Sequence, residues 1–318
     1  GLLKRWYAER KDMQKMLKKA KDAENKAEIE YWDKRQLVKK INLNSLYGAI
    51  LNPGCRFFDK RIGQSTTLSG RTIVKHMSAE VNKTITGEYD HVGQAMIYGD
   101  TDSCYFSAWP ILKDEIDAGK IPWSKENAII LYDQVCEQAN TTFEKFMYEA
   151  FHCPKSRSDV IAAGREIVAE SGLYITKKRY AALVIDNEGF RTDADGIGKV
   201  KAMGLDLRRS DTPVFMQDFL KELLTMVLTD VPQKEVLDRI TEFRKEFSDR
   251  PGWEKGAPKR ANKVGHYRRL EEKQGKANMP GHVRASLNWN TLKRMNGDKY
   301  SQEIVDGMKV IVCKLKQN

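Results

Sequence analysis

Residues 95–106 constrain this chain more than any other stretch. An apolar run, Ala95-Met96-Ile97-Tyr98, meets Gly99-Asp100-Thr101-Asp102-Ser103, and a second apolar run, Cys104-Tyr105-Phe106, follows. Short β-favouring runs on either side of a tight polar break predict a β-hairpin with acids at its tip. Residues i and i+2 of a strand face the same way, so Asp100 and Asp102 are expected near one another. Two unpaired carboxylates at close range repel, and a divalent cation relieves the repulsion. A bare Asp-x-Asp also suits a polar turn whose aspartates cap the backbone, and metal-dependent glycosyltransferases use it too. The surrounding sequence has to decide.

Composition narrows the partner. The 318 residues carry a formal charge of +11 and a pI near 9.2, which favours a polyanion: nucleic acid or an anionic membrane. No apolar run approaches the roughly 20 residues needed to cross a bilayer, and no signal-peptide core is present. The cysteines stand dispersed at 55, 104, 136, 153 and 313 without a Cys-x-x-Cys pair, which argues for reduced thiols over a disulfide framework or a zinc site. His152 beside Cys153 has no second ligand pair and reads as loop.

Along the chain, residues 2–22 and 27–47 read as two helices joined by a polar break, an antiparallel hairpin. On the second, Lys40, Asn44 and Tyr47 stand at i, i+4 and i+7 and share a face. An ammonium, an amide and a phenol on one face suit a nucleotide; an ordinary half-buried helix face is the plainer reading. Arg10, Lys11 and Lys15 make a basic stripe on the first helix. Residues 49–200 read as mixed α/β. Helices are expected over 65–83 and 128–150, and strands over 159–163, 165–169, 172–174 and 181–185, with a turn at 186–189. Residues 201–318 read as largely helical, with helices over 214–228 and 231–247. Asp211 or Thr212 is expected to cap the first of these, with Pro213 in its first turn. A basic, turn-rich stretch covers 255–276, and a strand covers 308–314.

Two strings found in order, Lys40-Ile41-Asn42-Leu43-Asn44-Ser45-Leu46-Tyr47-Gly48 and Tyr98-Gly99-Asp100-Thr101-Asp102-Ser103, resemble motifs B and C of the family B DNA polymerases. Those motifs are Lys-x-x-x-Asn-Ser-x-Tyr-Gly and Tyr-Gly-Asp-Thr-Asp-Ser. Thr176-Lys177-Lys178-Arg179-Tyr180-Ala181 is similar to the family's Lys-Lys-Arg-Tyr primer-binding segment. Arg56-Phe57-Phe58-Asp59 and Thr66-Thr67-Leu68-Ser69-Gly70-Arg71 also resemble family segments. The likeness is nearest to the tailed-phage branch, strong to about Pro213 and weaker beyond.

The resemblance implies an α/β (α+β) architecture: a fingers helical hairpin over 1–48, a palm with an antiparallel sheet and motif C over 49–200, and a mainly helical, incomplete thumb over 201–318. It implies template-directed DNA synthesis, with nucleotidyl transfer from a dNTP to a primer 3′ hydroxyl by two Mg2+ ions, Mn2+ being able to substitute. Asp100 and Asp102 are the implied metal ligands. Together with Lys40, which neutralises developing phosphate charge, they are the implied catalytic residues. Nucleotide binding falls to Arg10, Lys40, Asn44, Tyr47, Gly48 and Thr101. A lysine often found four residues after the family's arginine is here Gln14, with Lys15 next to it. Primer–template binding falls to Lys177, Lys178, Arg179 and Tyr180, with Arg208 and Arg209. On a strand, Lys178 and Tyr180 would share one face and Lys177 and Arg179 the other; a charged edge strand is the plainer reading. Glu166 is an accessory acid, beside Gly164 where close relatives often carry another.

No motif A string of the Asp-x-x-Ser-Leu-Tyr-Pro-Ser type occurs, and no exonuclease motif. The expectation is therefore a fragment of a replicative viral polymerase, poor at synthesis without a separate chain or missing segment carrying motif A and the exonuclease. Its expected partners are primer–template DNA, dNTPs and a sliding clamp, with no membrane, in the cytoplasm of an infected bacterium. Two other readings compete. A catalytically silent primer–template-binding module that retained the fold has no chemical need of Lys40, Tyr47, Asp100 and Asp102. An Asp-x-Asp glycosyltransferase has no need of motif B.

Overall fold

A lysine-, methionine- and alanine-rich segment without Gly or Pro favours helix, and it forms α1 (Leu2–Asp22). After a short turn, the Asn25 side chain accepts from the Glu28 N–H at 3.3 Å and starts α2 (Lys26–Ile50). The two helices pack as the expected hairpin. Across their seam Arg10 Nε donates to Gln36 Oε1 at 3.4 Å, and Lys39 pairs with Glu9 at 2.5 Å. The Lys39 ammonium holds the Glu9 carboxyl below its ordinary range, chiefly by that hydrogen bond.

The computed structural model describes residues 1–158, 161–275 and 277–313. They fall into two compact units: Gly1–Ile111 with Glu149–Phe151, and the described part of Leu112–Tyr148 with His152–Asn318. In the first unit α3 (Lys60–Thr86), capped by Asp59 and closed by left-handed Gly87, is longer than the 65–83 predicted. Then come β1 (Met96–Asp100) and β2 (Ser103–Phe106), an antiparallel pair. α4 (Trp109–Asp117) follows and was not anticipated.

The second unit contains all but the last three residues of α5 (Lys125–Phe151), started by a Ser124 cap and ended by His152 in the left-handed conformation, and the single turn α6 (Lys155–Ser158). An antiparallel sheet then forms from β3 (Ile167–Thr176), β4 (Arg179–Asn187), β5 (Phe190–Arg191) and β6 (Lys199–Met203), with β4 paired to all three others. Strand β4 is buried from Tyr180 to Asp186. Its Ala181 and Leu183 join Ala202, Leu205 and Leu228 in one core cluster. The expected strand over 159–163 is corrected: 159 and 160 lie outside the described residues, and 161–163 form no strand. Residues 167–169 of the first run and 172–174 belong to one strand, because β3 follows β4 through three register shifts and does not break at Gly172, while 165 and 166 precede it. Asp186 stays in β4, buried against Arg165, so the turn narrows to Glu188-Gly189, both at positive φ.

A short 3-10 turn at Asp206–Arg208 leads to α7 (Val214–Leu228) and α8 (Gln233–Asp249). Phe215, Phe219, Phe243 and Phe247 interlock across this pair, with Phe219 and Phe243 stacked at 3.5 Å. Neither Asp211 nor Thr212 caps α7; Pro213 takes that position. Both side chains are engaged elsewhere: Asp211 pairs with Arg209 and Lys259, and the Thr212 hydroxyl donates to the Asp206 carbonyl. The basic stretch after it resolves into α9 (Gly252–Lys255), β7 (Ala257–Arg260) and α10 (Val264–Gln274). The unanticipated α11 (Gly281–Met295) precedes β8 (Lys309–Val312), the expected C-terminal strand, which pairs with β7.

Candidate active site

The two acids stand at the start and the end of a tight turn and not at alternate positions of one strand. Asp100 ends β1 opposite Ser103, so Thr101 and Asp102 form the two-residue connection. Thr101 takes φ +48, the left-handed conformation that tight hairpin turns require. The Asp102 N–H donates to the Asp100 carbonyl at 2.6 Å, and the Ser103 hydroxyl donates to the same oxygen at 3.2 Å. Thr101, expected to meet nucleotide, donates its hydroxyl to Asp100 Oδ1 at 3.1 Å. Asp100 is half-buried and Asp102 exposed. Behind them Tyr98 and Tyr105 pack at 5.9 Å between ring centres.

Carboxylate oxygens are hard donors of the kind Mg2+ and Mn2+ take, so the pair fits such an ion in kind. It does not complete a site. Among the described residues no group of three or more His, Cys, Asp or Glu is placed to hold a metal. Remaining ligands would have to be another acid, phosphate oxygens or water.

Asn82 on α3, fully buried, positions this hairpin, and nothing in its sequence neighbourhood marks it. Its amide donates to the Glu88 carbonyl at 2.8 Å and to Thr86 at 3.1 Å, and its carbonyl accepts from the Ala95 N–H at 3.0 Å. A Cβ on Gly93 would lie 2.2 Å from the Asn82 amide, so only glycine lets the loop close over it. His76 and the Tyr89 hydroxyl add a 2.8 Å bond from the same helix to the same loop.

The motif B face lies on α2. Lys40, Asn44 and Gly48 are exposed, and Tyr47 is half-buried. The Tyr47 hydroxyl donates to the Gly63 carbonyl at 3.3 Å. A Cβ on Gly63 would come within 1.9 Å of Leu51, so glycine lets the end of α2 meet the start of α3. Leu37 and Ile41, also exposed, extend the same strip of helix. Gly48 differs from Gly63 and Gly93: a Cβ there would meet nothing within 4 Å. Glycine costs a helix about 0.5–1 kcal/mol relative to alanine, and no neighbour among the described residues explains it. Arg10 stays half-buried against Gln36. Since α2 packs on α3 and α3 on β2, one helix supports both the motif B face and the acid hairpin.

In the second unit, Lys177 and Lys178 are not strand residues. Thr176 pairs with Arg179, leaving the two lysines as a turn with Lys178 at φ +64. The alternation expected across 177–180 therefore does not apply. Lys177, Lys178 and Arg179 are exposed, while Tyr180 is 8% exposed and stacks on Tyr174 at 5.5 Å. Burial pushes the Tyr174 phenol up to about 12. Gly204, at φ +63, supports the turn from β6; a Cβ there would stand 2.0 Å from the Lys178 carbonyl oxygen. Glu166 lies just before β3 and is paired with Lys201 at 2.8 Å. Arg208 is exposed, and Arg209 grips Asp211 with both its Nε and Nη2, at 2.9 and 3.0 Å.

Residues 1–113 match the model of DNA polymerase family B. The chain is 29% identical over 204 residues to the DNA-directed DNA polymerase of Escherichia phage RB69, covering 61% of this chain and 22% of that protein. It is 26% identical over 308 residues to the DNA-directed DNA polymerase of Enterobacteria phage T4, covering 89% of this chain and 31% of that protein. DNA polymerase II of Escherichia coli K12 is 27% identical over 201 residues, 62% of this chain and 22% of that enzyme. The chain thus spans less than a third of these relatives' length.

Proposed function

From the premise that residues 1–113 are a family B DNA polymerase segment of the phage type, we propose that this chain supplies the nucleotide-binding face, one acid pair and a primer grip for template-directed DNA synthesis. Support comes foremost from α3, which packs against α2, the helix that carries Lys40, Asn44 and Tyr47, and against β2, the second strand of the acid hairpin. Residues 1–48 act as fingers, 49–200 as palm and 201–318 as thumb.

Asp100 and Asp102 would hold divalent cations, Mg2+ or Mn2+, which when bound would supply acidification of the primer 3′ hydroxyl and charge neutralisation of the leaving pyrophosphate. Lys40, exposed on its helix, meets the triphosphate and balances charge as it develops; Arg10 adds a second cation to the same group. Tyr47, held by its bond to Gly63, fixes one side of the face on which the new base pair rests, and Gly48 leaves that face open. Lys177, Lys178 and Arg179 grip primer phosphates from a turn that the Tyr174–Tyr180 stack holds rigid.

The acid pair alone leaves the metals short of ligands, so synthesis needs a segment carrying motif A, on this chain or another. Primer extension tests this. The purified chain with Mg2+ and four dNTPs extends poorly, and a polypeptide supplying motif A restores extension. Restoration that survives Asp102→Asn would refute the assignment. No helix among the described residues is long and apolar enough to cross a membrane.

A further inference from the structure

The loop of residues 87–95 joins α3 to the acid hairpin and has no helix or strand of its own. Its last residue fixes the base of that hairpin: the Ala95 carbonyl accepts from the Ser107 N–H at 2.9 Å, just beyond the β1–β2 pair. Two side chains of α3 tie the loop down. The Asn82 amide donates to the Glu88 carbonyl, and its own carbonyl accepts from the Ala95 N–H. His76 takes Tyr89, with Nδ1 2.8 Å from the phenol oxygen and the ring centres 6.0 Å apart. Asn82 cannot titrate near neutral pH, and His76 can.

His76 is only 7% exposed, and burial holds it below the ordinary imidazole value of 6.5. The charged groups that face it are Glu80 and Lys83 on α3 and Glu149 near the end of α5. The two acids favour its proton and Lys83 opposes it; Glu80 is also shared with Lys83 at 3.8 Å, so burial prevails. Burial, and then Glu80, raises the Tyr89 phenol, which stays a neutral hydroxyl wherever the imidazole titrates. Once the loop lifts, His76 meets water and takes up a proton as an ordinary imidazole. The closed loop is therefore at full strength above pH 6.5 and weakens as pH falls below it.

We propose that His76 is a positioning residue for the acid hairpin: as a neutral imidazole it latches loop 87–95 to α3 through the Tyr89 hydroxyl, and its protonation releases the loop. The role given to the acids rests on the polymerase reading above; the latch itself does not. His91, the other imidazole of this loop, lies 3.7 Å from Asp90 at the surface and serves as the control.

Amide hydrogen exchange of the purified chain between pH 5.5 and 8.0, corrected for the intrinsic pH dependence of exchange, tests the latch. In the wild type, residues 87–95 are expected to exchange at a constant corrected rate down to about pH 6.5. At pH 5.5 they exchange severalfold faster, within the limit of about tenfold that a single proton allows. His76→Gln keeps a neutral hydrogen-bonding group in place and is expected to remove the acid response. Tyr89→Phe breaks the bond and is expected to speed exchange in the loop at pH 8.0; it carries the test if His76→Gln fails to fold. His91→Gln is expected to respond as the wild type does. A wild type without an acid response, a response that survives His76→Gln or vanishes in His91→Gln, or an unchanged loop in Tyr89→Phe overturns the latch. Primer extension by the motif A-complemented chain reads the positioning role. Below pH 6.5 the wild type is expected to lose kcat more steeply than His76→Gln does, with dNTP affinity kept. Identical pH profiles in the two chains overturn that role. Absence of extension at every pH, with exchange responding as expected, refutes the polymerase reading and not the latch.

Discussion

Gly48 offers a test in which stability and function move in opposite directions. It lies two residues before the end of α2, is exposed, and has nothing within 4 Å of where a Cβ would stand. Gly48→Ala therefore meets no clash and gains helix propensity, about 0.5–1 kcal/mol. Since 1 kcal/mol moves Tm by about 2–4 °C in domains of roughly 150–250 residues, the variant is expected to melt about 1–4 °C higher. If the glycine leaves room for a nascent base pair, the methyl intrudes on it. Overpacking of that size costs about 1–3 kcal/mol, or about 5- to 150-fold in affinity. The assay is a titration of the correct dNTP into the chain bound to a dideoxy-terminated primer–template, with thermal melts in parallel. Higher Tm with unchanged nucleotide affinity would refute the reasoning, because the open face would then serve no ligand. A lower Tm would refute the structural premise that the space is empty.

Other perturbations separate the parts of the site. Asp102→Asn, at an exposed turn position, is expected to leave Tm within about 1 °C while abolishing extension by the motif A-complemented chain. Asn82→Ala strands the buried Ala95 N–H and is expected to cost about 2 kcal/mol or more, with a parallel loss of extension as the acid hairpin loosens. Gly204→Ala drives a methyl into the Lys178 carbonyl at a positive φ and is expected to lower both Tm and primer–template affinity. The Tyr174 phenol, raised to about 12 from an ordinary value of 10, contributes stability that is fully present below pH 10. That contribution is lost as pH rises from 10 towards 12. Tyr174→Phe is expected to reduce the alkaline loss of stability in that window, read by circular dichroism against phenolate absorbance.

The hairpin at 95–106, the α1–α2 pair and helix α7 were legible in the sequence because each is decided within a short window. Alternation, helix propensity and a tight polar break are local properties, and the structure reproduces them. Register is not local. Alternation suggested a strand through Lys177 and Lys178, but the pairing of β3 with β4 turned them into a hairpin tip and buried Tyr180. A cap expected from Asp211 gave way to ion pairing with Lys259, a residue 48 positions away.

The sequence by itself determined which chemistry is present: the acids, the basic and aromatic partners, and the order of the two motifs. It could do so because side-chain identity and short-range conformational preference are written residue by residue. Only the tertiary structure decided that Asn82 holds the base of the acid hairpin, that Gly63 and Gly93 are fixed by neighbours while Gly48 is not, and that Arg209, Lys259 and Asp211 share a cleft. Those facts depend on which distant segments come within a few ångströms of each other, and that proximity is set by how the whole chain packs.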